Sequence, residues 1–229
     1  MLTCLSLYDE SGNMLRPWAE AGYDCHCVDL SGNPREELVG KGKLTFHRMD
    51  VMSTECQLFV FKLRPYFAFG FPPCTDVAVS GAKHFETKFR ENPFSMVEAA
   101  NLAKRVAELG SAVGAIWAFE NPVSMLVNFL GDPDYKFHPF EFGGYLPEND
   151  IHPRWPDYIA PRDAYRKQTW IWASEGFVFP PKAEVYCPEG WSTQMTQLGG
   201  KSARTKQIRS ETPRGFSKAV FLANRHRSL

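Results

Sequence analysis

Apolar positions along the chain recur with two periods, and the switches between them predict the elements. Residues 3–8 (Thr-Cys-Leu-Ser-Leu-Tyr) read as a first strand, and Asp9-Glu10-Ser11-Gly12-Asn13 as the turn that closes it. Met14, Leu15, Trp18 and Ala19 then fall at helical spacing, with Gly22 suited to the C-cap of a helix over 14–22. Tyr23 to Leu30 is a second strand ending on an acid, Asp29; residues 31–43 are a polar, glycine- and charge-rich loop; Leu44 to Arg48 is a third strand, closed by Asp50. Residues 54–68 read as helix and then strand. The aromatic run Tyr66, Phe67, Phe69, Phe71 is a short buried strand that Pro72 and Pro73 end, because proline cannot donate to a sheet ladder. Thr87 to Phe94 is charged and reads as loop. Ser95 to Leu109 is the clearest helix, with Ser95 and Glu98 at capping-box spacing, apolar residues at 96, 99, 102, 103 and 106, and Gly110 as its end. A strand over 115–119 follows, then a long irregular segment over 131–165, a strand over 165–172 and a helix over 213–224 with Pro213 near its first turn.

Strand, turn, helix, strand, acid is the order of a nucleotide-binding half-unit: backbone donors after the first turn, and an acid at the end of the second strand for ribose hydroxyls. Chemistry in such sheets sits beyond the carboxyl ends of the strands. Cys74 stands at that place, behind two rigid prolines that fix the direction of its sulfur. The plain alternative is a small buried cysteine in a turn. Glu120-Asn121-Pro122 is a second strand-end acid, one strand-helix-strand unit later. Alone, it reads as a turn with an exposed carboxylate.

Composition narrows the class. The 229 residues suit one domain, or one domain with a small appendage, and 44% hydrophobic with 14% aromatic residues can build a sizeable core. No apolar run reaches the ~18 residues of a membrane helix, and no secretory leader is apparent, so a cytoplasmic, non-membrane protein is expected. The six cysteines lack the spacing of a disulfide framework and suit a reducing compartment. Cys25-His26-Cys27 has no second ligand pair, so no metal is expected there. Formal net charge is zero, yet Lys201, Arg204, Lys206, Arg209, Arg214, Lys218, Arg225 and Arg227 make the last stretch basic. That pattern is either a solvated helix face or an edge that meets phosphates.

Pro72-Pro73-Cys74 followed by Asp76 and Ser80-Gly81 resembles the nucleophile loop of the DNA cytosine-5 methyltransferases, and four further stretches match in the family's order. The resemblance implies a Rossmann-like, S-adenosylmethionine-dependent methyltransferase fold: α/β, with a mostly parallel sheet and helices on both faces. Tyr8 to Asn13 lies where the family has an aromatic and a glycine-rich loop around the cofactor. The resemblance thus implies that Tyr8 packs on adenine, Asp29 bonds the ribose, and Asp50 bonds the adenine amino group with Val51 beside the ring. Asp9, Gly12, Leu30, Pro72 and Ser217 complete the implied cofactor contacts; Ser217 belongs to a segment, 209–220, that resembles the one returning the family's last helix to the cofactor. Glu120-Asn121-Pro122 matches the family's Glu-Asn-Val/Pro element. Carbon 5 of cytosine is a poor nucleophile. Thiolate attack by Cys74 at carbon 6 makes carbon 5 enamine-like, and the Glu120 carboxyl group at ring nitrogen 3 stabilises the developing charge, with Asn121 orienting the loop. Arg166 or Lys167 would contact the flipped base and its phosphate, and Ser80, Gly81, Lys201, Arg204 and Arg209 the nucleic acid. The chain departs from the pattern in three places: Glu10 and Asn13 replace two of the three usual glycines, Ser6 replaces an acid, and the Gln-x-Arg-x-Arg pattern is not intact.

The matching stretches divide the chain into a catalytic part over 1–172, an insert over 173–203 where the family has a large target-recognition region, and a C-terminal helix over 204–229. About thirty residues cannot form a full reader, which resembles small phage- or prophage-type members and implies a bacterial or phage-infected cell. A very short recognition site is expected, or completion of the reader by a second copy, an accessory specificity protein, or the segment His152 to Pro161. DNA is the expected partner. Free nucleotide, single-stranded DNA or RNA are alternative substrates for the same chemistry, and a non-catalytic binding relative is the alternative of another class.

Overall fold

A computed structural model describes residues 2–187, 198 and 202–226. Chain contacts gather into two compact units, Met1–Lys136 with Thr169–Phe177, and Phe137–Gln168 with Val178–Leu229. This grouping differs from the expected catalytic span over 1–172, since residues 137–168 fold with the later part of the chain.

The first unit is mixed α/β, built on an eight-stranded sheet in the order β3-β4-β2-β1-β5-β6-β8-β7. The strands are β1 (Thr3–Leu7), β2 (Asp24–Asp29), β3 (Arg35–Val39), β4 (Gly42–Arg48), β5 (Phe67–Gly70), β6 (Ile116–Pro122), β7 (Tyr135–Phe137) and β8 (Thr169–Ala173). From β4 through β2, β1 and β5 to β6 every pairing is parallel; β3 is antiparallel to β4, and β8 to β6. The chain fills one side of β1 with β2 and β4, then jumps to the other side with β5 and β6, which puts a topological switch between β1 and β5.

Alternation along the strands supplies two apolar faces. Leu5, Leu7, Val28, Ala68 and Phe119 pack on Val60 of α2 (Thr54–Leu63) and on Ala103, Val106 and Leu109 of α4 (Ser95–Ala112). Phe67, next to Ala68 in β5, stacks instead on Trp18 of α1 (Arg16–Glu20) at 4.6 Å. Cys25 and Cys27 are buried, alternating positions of β2.

Several elements differ from the sequence reading. Part of the 31–43 loop is β3, which pairs with β4 across Gly40-Lys41. Its charges disguise it: Arg35–Glu37 and Glu36–Lys43 form ion pairs of 3.0 Å along a solvent-facing edge, the usual guise of an edge strand. Residues 85–91 form a helix, α3 (Phe85–Glu91), none of whose residues is buried, so no apolar period marks it. Helix α4 continues through Gly110, where a Cβ would lie 2.7 Å from the Trp117 side chain; the glycine brings the helix close to β6 and does not end it. Asn92, not Ser95, closes the start of α4: its Oδ1 accepts the Phe94 N–H at 3.0 Å and its Nδ2 donates to Glu98 at 2.9 Å. Strand β8 begins only at Thr169, leaving Arg166 and Lys167 ahead of it.

The second unit contains α6 (Ala203–Ser210) and α7 (Arg214–Asn224); the first also holds the short α5 (Val127–Leu130). The core of the second unit is aromatic, with Phe137 stacked on Phe216 at 4.1 Å and Phe142 edge-on to both. Beside it lies a buried polar group: Arg214 forks onto Asp150 at 2.9 and 2.6 Å, and Asp163 accepts the Gly215 N–H at 2.8 Å. Arg162 and Asp163 both adopt left-handed backbone, φ 56° and 49°. Among the described residues no helix is long and apolar enough to cross a membrane.

Candidate active site

The turn after β1 is organised by a carboxylate. Asp9 is buried; its Oδ2 accepts from the Ser6 hydroxyl at 2.8 Å, and its Oδ1 accepts from the Ser11 N–H, the Ser11 hydroxyl and the Gly12 N–H at 2.8–2.9 Å. Three donors on Oδ1 and one on Oδ2 tie Asp9 into the turn. Gly12 has φ +69° and a Cβ there would sit 2.8 Å from Phe46, which accounts for the one glycine kept in this loop. Tyr8 takes the left-handed region at φ 58°, and its hydroxyl donates to the Leu102 carbonyl of α4 at 3.0 Å. Burial pushes the Tyr8 hydroxyl far above its ordinary pKa.

Two strand-end acids repeat one motif. Asp29, the last residue of β2, accepts the Ser31 N–H on Oδ1 at 2.7 Å; Asp50, after β4, accepts the Met52 N–H on Oδ1 at 2.9 Å. Each fixes its own turn through one oxygen, and Oδ2 of each makes no hydrogen bond within the described residues. Because β2 and β4 are adjacent and parallel, with Asp29 opposite Arg48, the two acids leave the same edge of the sheet. Between them and β5 lies a cavity of about 310 Å³, lined by Tyr8, Asp29, Leu30, Ser31, Asp50, Val51, Phe71, Pro73 and Leu102. It sits at the carboxyl ends of the strands beside the β1/β5 switch, where open α/β sheets hold ligands. Leu30 is 64% exposed at its rim, whereas Val51 is buried and its carbonyl accepts from Arg105 Nε at 3.3 Å.

The cysteine loop forms one wall. Pro72 is buried and Cys74 half-buried; the Cys74 carbonyl accepts the N–H groups of Val77 and Ala78 at 3.1 and 2.8 Å, so the residue starts a tight turn. Gly70 and Phe119 are register partners in the parallel pair β5–β6, so Pro72-Pro73-Cys74 follows β5 beside Glu120-Asn121-Pro122, the last residues of β6. Asn121, 1% exposed, joins them by donating Nδ2 to the Pro72 carbonyl at 3.2 Å. Below it the loops are zipped by Val79 N–H to Val123 O at 3.0 Å and Met125 N–H to Val77 O at 2.8 Å. Lys88 of α3 clamps the far side, reaching the Thr75 carbonyl at 2.5 Å and Asp76 at 2.8 Å. Ser80 and Gly81 lie in a 3-10 turn over 79–84.

The remaining named residues belong to the second unit. Arg166 is exposed with its guanidinium 5.1 Å over the Phe140 ring, and Lys167 is half-buried. Ser217 is buried on α7 and its hydroxyl donates to the Pro213 carbonyl at 3.1 Å. Arg209 donates to the Leu198 carbonyl, and Arg204 lies over Trp155 and Tyr158. Lys201 and most of the 188–201 segment lie outside the described residues. Sequence reasoning missed Ser31, Phe71, Leu102 and the clamp Lys88. Only Ser31 left a trace, as the Ser-Gly after Asp29.

No family model matches the chain, and no curated protein does. Among solved structures, the chain is similar at a TM-score of 0.41 and 16% identity to an E. coli protein encoded within a prophage and named provisionally as a DNA modification methyltransferase. The likeness covers 75% of this chain and 45% of that one, so the chain spans less than half the length of the protein it matches.

Proposed function

We propose that the protein transfers a methyl group from S-adenosylmethionine to carbon 5 of cytosine in DNA. The observation that carries this reading is the cavity at the β1/β5 switch. Tyr8, Asp29, Leu30, Asp50 and Val51, named for the cofactor from sequence, line it together, and Pro73, adjacent to Cys74, forms part of its wall. The donor set fits the group: an aromatic side chain, Val51 and Leu102 for an adenine ring, and two carboxylates for ribose hydroxyls and an amino group.

The cofactor supplies an electrophilic methyl group on sulfur. Everything else falls to the chain. Asp29 and Asp50 hold the nucleoside end with the oxygens their turns leave over. The Cys74 thiolate adds to carbon 6 of a flipped cytosine, placing charge on the ring, and the Glu120 carboxyl group hydrogen-bonds nitrogen 3 where that charge develops. Carbon 5 of the adduct would bond the methyl carbon as the thioether leaves; its proton would pass to solvent, and elimination across carbons 5 and 6 returns the Cys74 thiolate. Asn121 holds the cysteine loop against the end of β6 through the Pro72 carbonyl. Asp9 shapes the turn, and the departure at Ser6 is met by the Ser6–Asp9 hydrogen bond.

Incubation with methyl-labelled S-adenosylmethionine and a panel of duplex DNA, single-stranded DNA, RNA and deoxycytidine monophosphate tests the reading. Label in 5-methylcytosine of DNA supports it. Label in another base, or only in RNA or free nucleotide, overturns it.

A further inference from the structure

The second unit carries a cluster that the cofactor and cysteine sites do not use. The Arg154 guanidinium lies 5.2 Å over the Trp155 ring; that of Arg204 lies 5.7 Å over the same ring and 5.5 Å over Tyr158. Both arginines are exposed, and neither has a carboxylate partner among the described residues. A stacked guanidinium has already given up much of its rotamer freedom, and its planar fork of N–H donors is set for an anion.

The platform beneath them is rigid. His152, buried, accepts the N–H groups of Arg154 and Trp155 on Nδ1 at 3.3 and 3.0 Å, which fixes the backbone of the loop. Trp155 Nε1 donates to the buried Glu211 at 3.1 Å. Trp155 and Tyr158 pack on Ile159, Tyr165 and Ile208. Charge points the same way: the sequence span of the second unit holds thirteen Lys and Arg against eight Asp and Glu, while the rest of the chain holds thirteen against eighteen. The chain is neutral because a net +5 and a net −5 cancel.

We infer that Arg154 and Arg204, held over Trp155 and Tyr158, are a docking surface for the phosphodiester backbone of DNA. Resting on the reading of DNA as substrate, this assigns the positioning of the strand to the 152–158 loop and the start of α6. Phosphate contacts of this kind set the register of DNA without reading its sequence.

Anisotropy of a fluorescein-labelled duplex across a range of KCl concentrations tests it, with wild type, Arg154→Ala, Arg204→Ala, Arg204→Lys and, as a charge control, Lys206→Ala on the same helix. Arg154→Ala and Arg204→Ala should each weaken binding about tenfold and lower the salt slope by about one. Arg204→Lys should stay at least about threefold weaker than wild type, because it keeps the charge and loses the fork. Lys206→Ala should change affinity less than about threefold. Unchanged binding in the arginine variants, equal losses in Lys206→Ala, or a wild type that binds no DNA overturns the surface. Methyl transfer and cofactor binding on the same preparations separate the two claims: arginine-dependent DNA binding without methyl transfer overturns the enzyme reading and leaves the surface, whereas methyl transfer with wild-type DNA affinity in Arg154→Ala and Arg204→Ala does the reverse.

Discussion

Asn121 donates its side-chain N–H to the carbonyl of Pro72 across 3.2 Å of buried space. That bond ties the end of β6, which bears Glu120, to the loop bearing Cys74. Asn121→Ala leaves a buried carbonyl without its donor, at a cost of roughly 1–3 kcal/mol. A denaturant melt should register that loss. In steady-state methyl transfer the fall should appear in kcat, with cofactor affinity within about twofold, since the cavity does not include Asn121.

Asp29 and Asp50 offer one oxygen each to a ligand. Asp29→Ala and Asp50→Ala should each weaken S-adenosylmethionine binding about tenfold or more, the worth of a hydrogen bond to a charged group. Calorimetry on each variant measures it. Asp9→Ala should behave differently: with four hydrogen bonds lost inside the turn, the melting temperature should drop along with affinity.

The buried acid of the second unit sets up a pH test. Burial pushes Asp163 up to about 6 from an ordinary 3.8, and burial pushes His152 down to about 4 from 6.5. Folding therefore takes up a proton at Asp163 between about pH 3.8 and 6, and stability from that group is lost as pH rises through 6. His152 works in the other sense: the unfolded chain binds the extra proton, so stability is lost as pH falls from 6.5 toward 4. Between pH 4 and 6 the two slopes oppose each other, and wild-type stability should be nearly flat. Asp163→Asn keeps an acceptor for the Gly215 N–H and removes one slope. Chemical denaturation as a function of pH should find it more stable than wild type above pH 7 and losing stability on acidification below about 6.5, the ordinary histidine pKa.

What the sequence made legible was local chemistry with few alternatives. Pro72-Pro73 could only end a strand, and Asp29 and Asp50 stood at strand ends where apolar runs stop. What it hid was decided by tertiary context. Strand β3 reads as loop because an edge strand can carry charge on nearly every residue, and α3 carries no apolar period because it buries nothing. Gly110 looked like a helix end and is a contact with Trp117. Nothing local in the sequence shows that Asp9 makes four hydrogen bonds within its own turn. The clustering of Arg154 with Arg204, fifty residues apart in sequence, has no local signature at all.

The most direct test of the central claim is covalent trapping. Duplex DNA carrying 5-fluorocytosine presents the same ring to Cys74, but fluorine at carbon 5 cannot leave as the proton does, so elimination of the thiolate is blocked after methyl transfer. With S-adenosylmethionine present, wild-type protein should migrate on a denaturing gel as a protein–DNA adduct, mass spectrometry should place the link on Cys74, and Cys74→Ser should give no adduct while binding the cofactor as wild type does. Methyl transfer to cytosine without any adduct, or an adduct that survives in Cys74→Ser, would contradict the account.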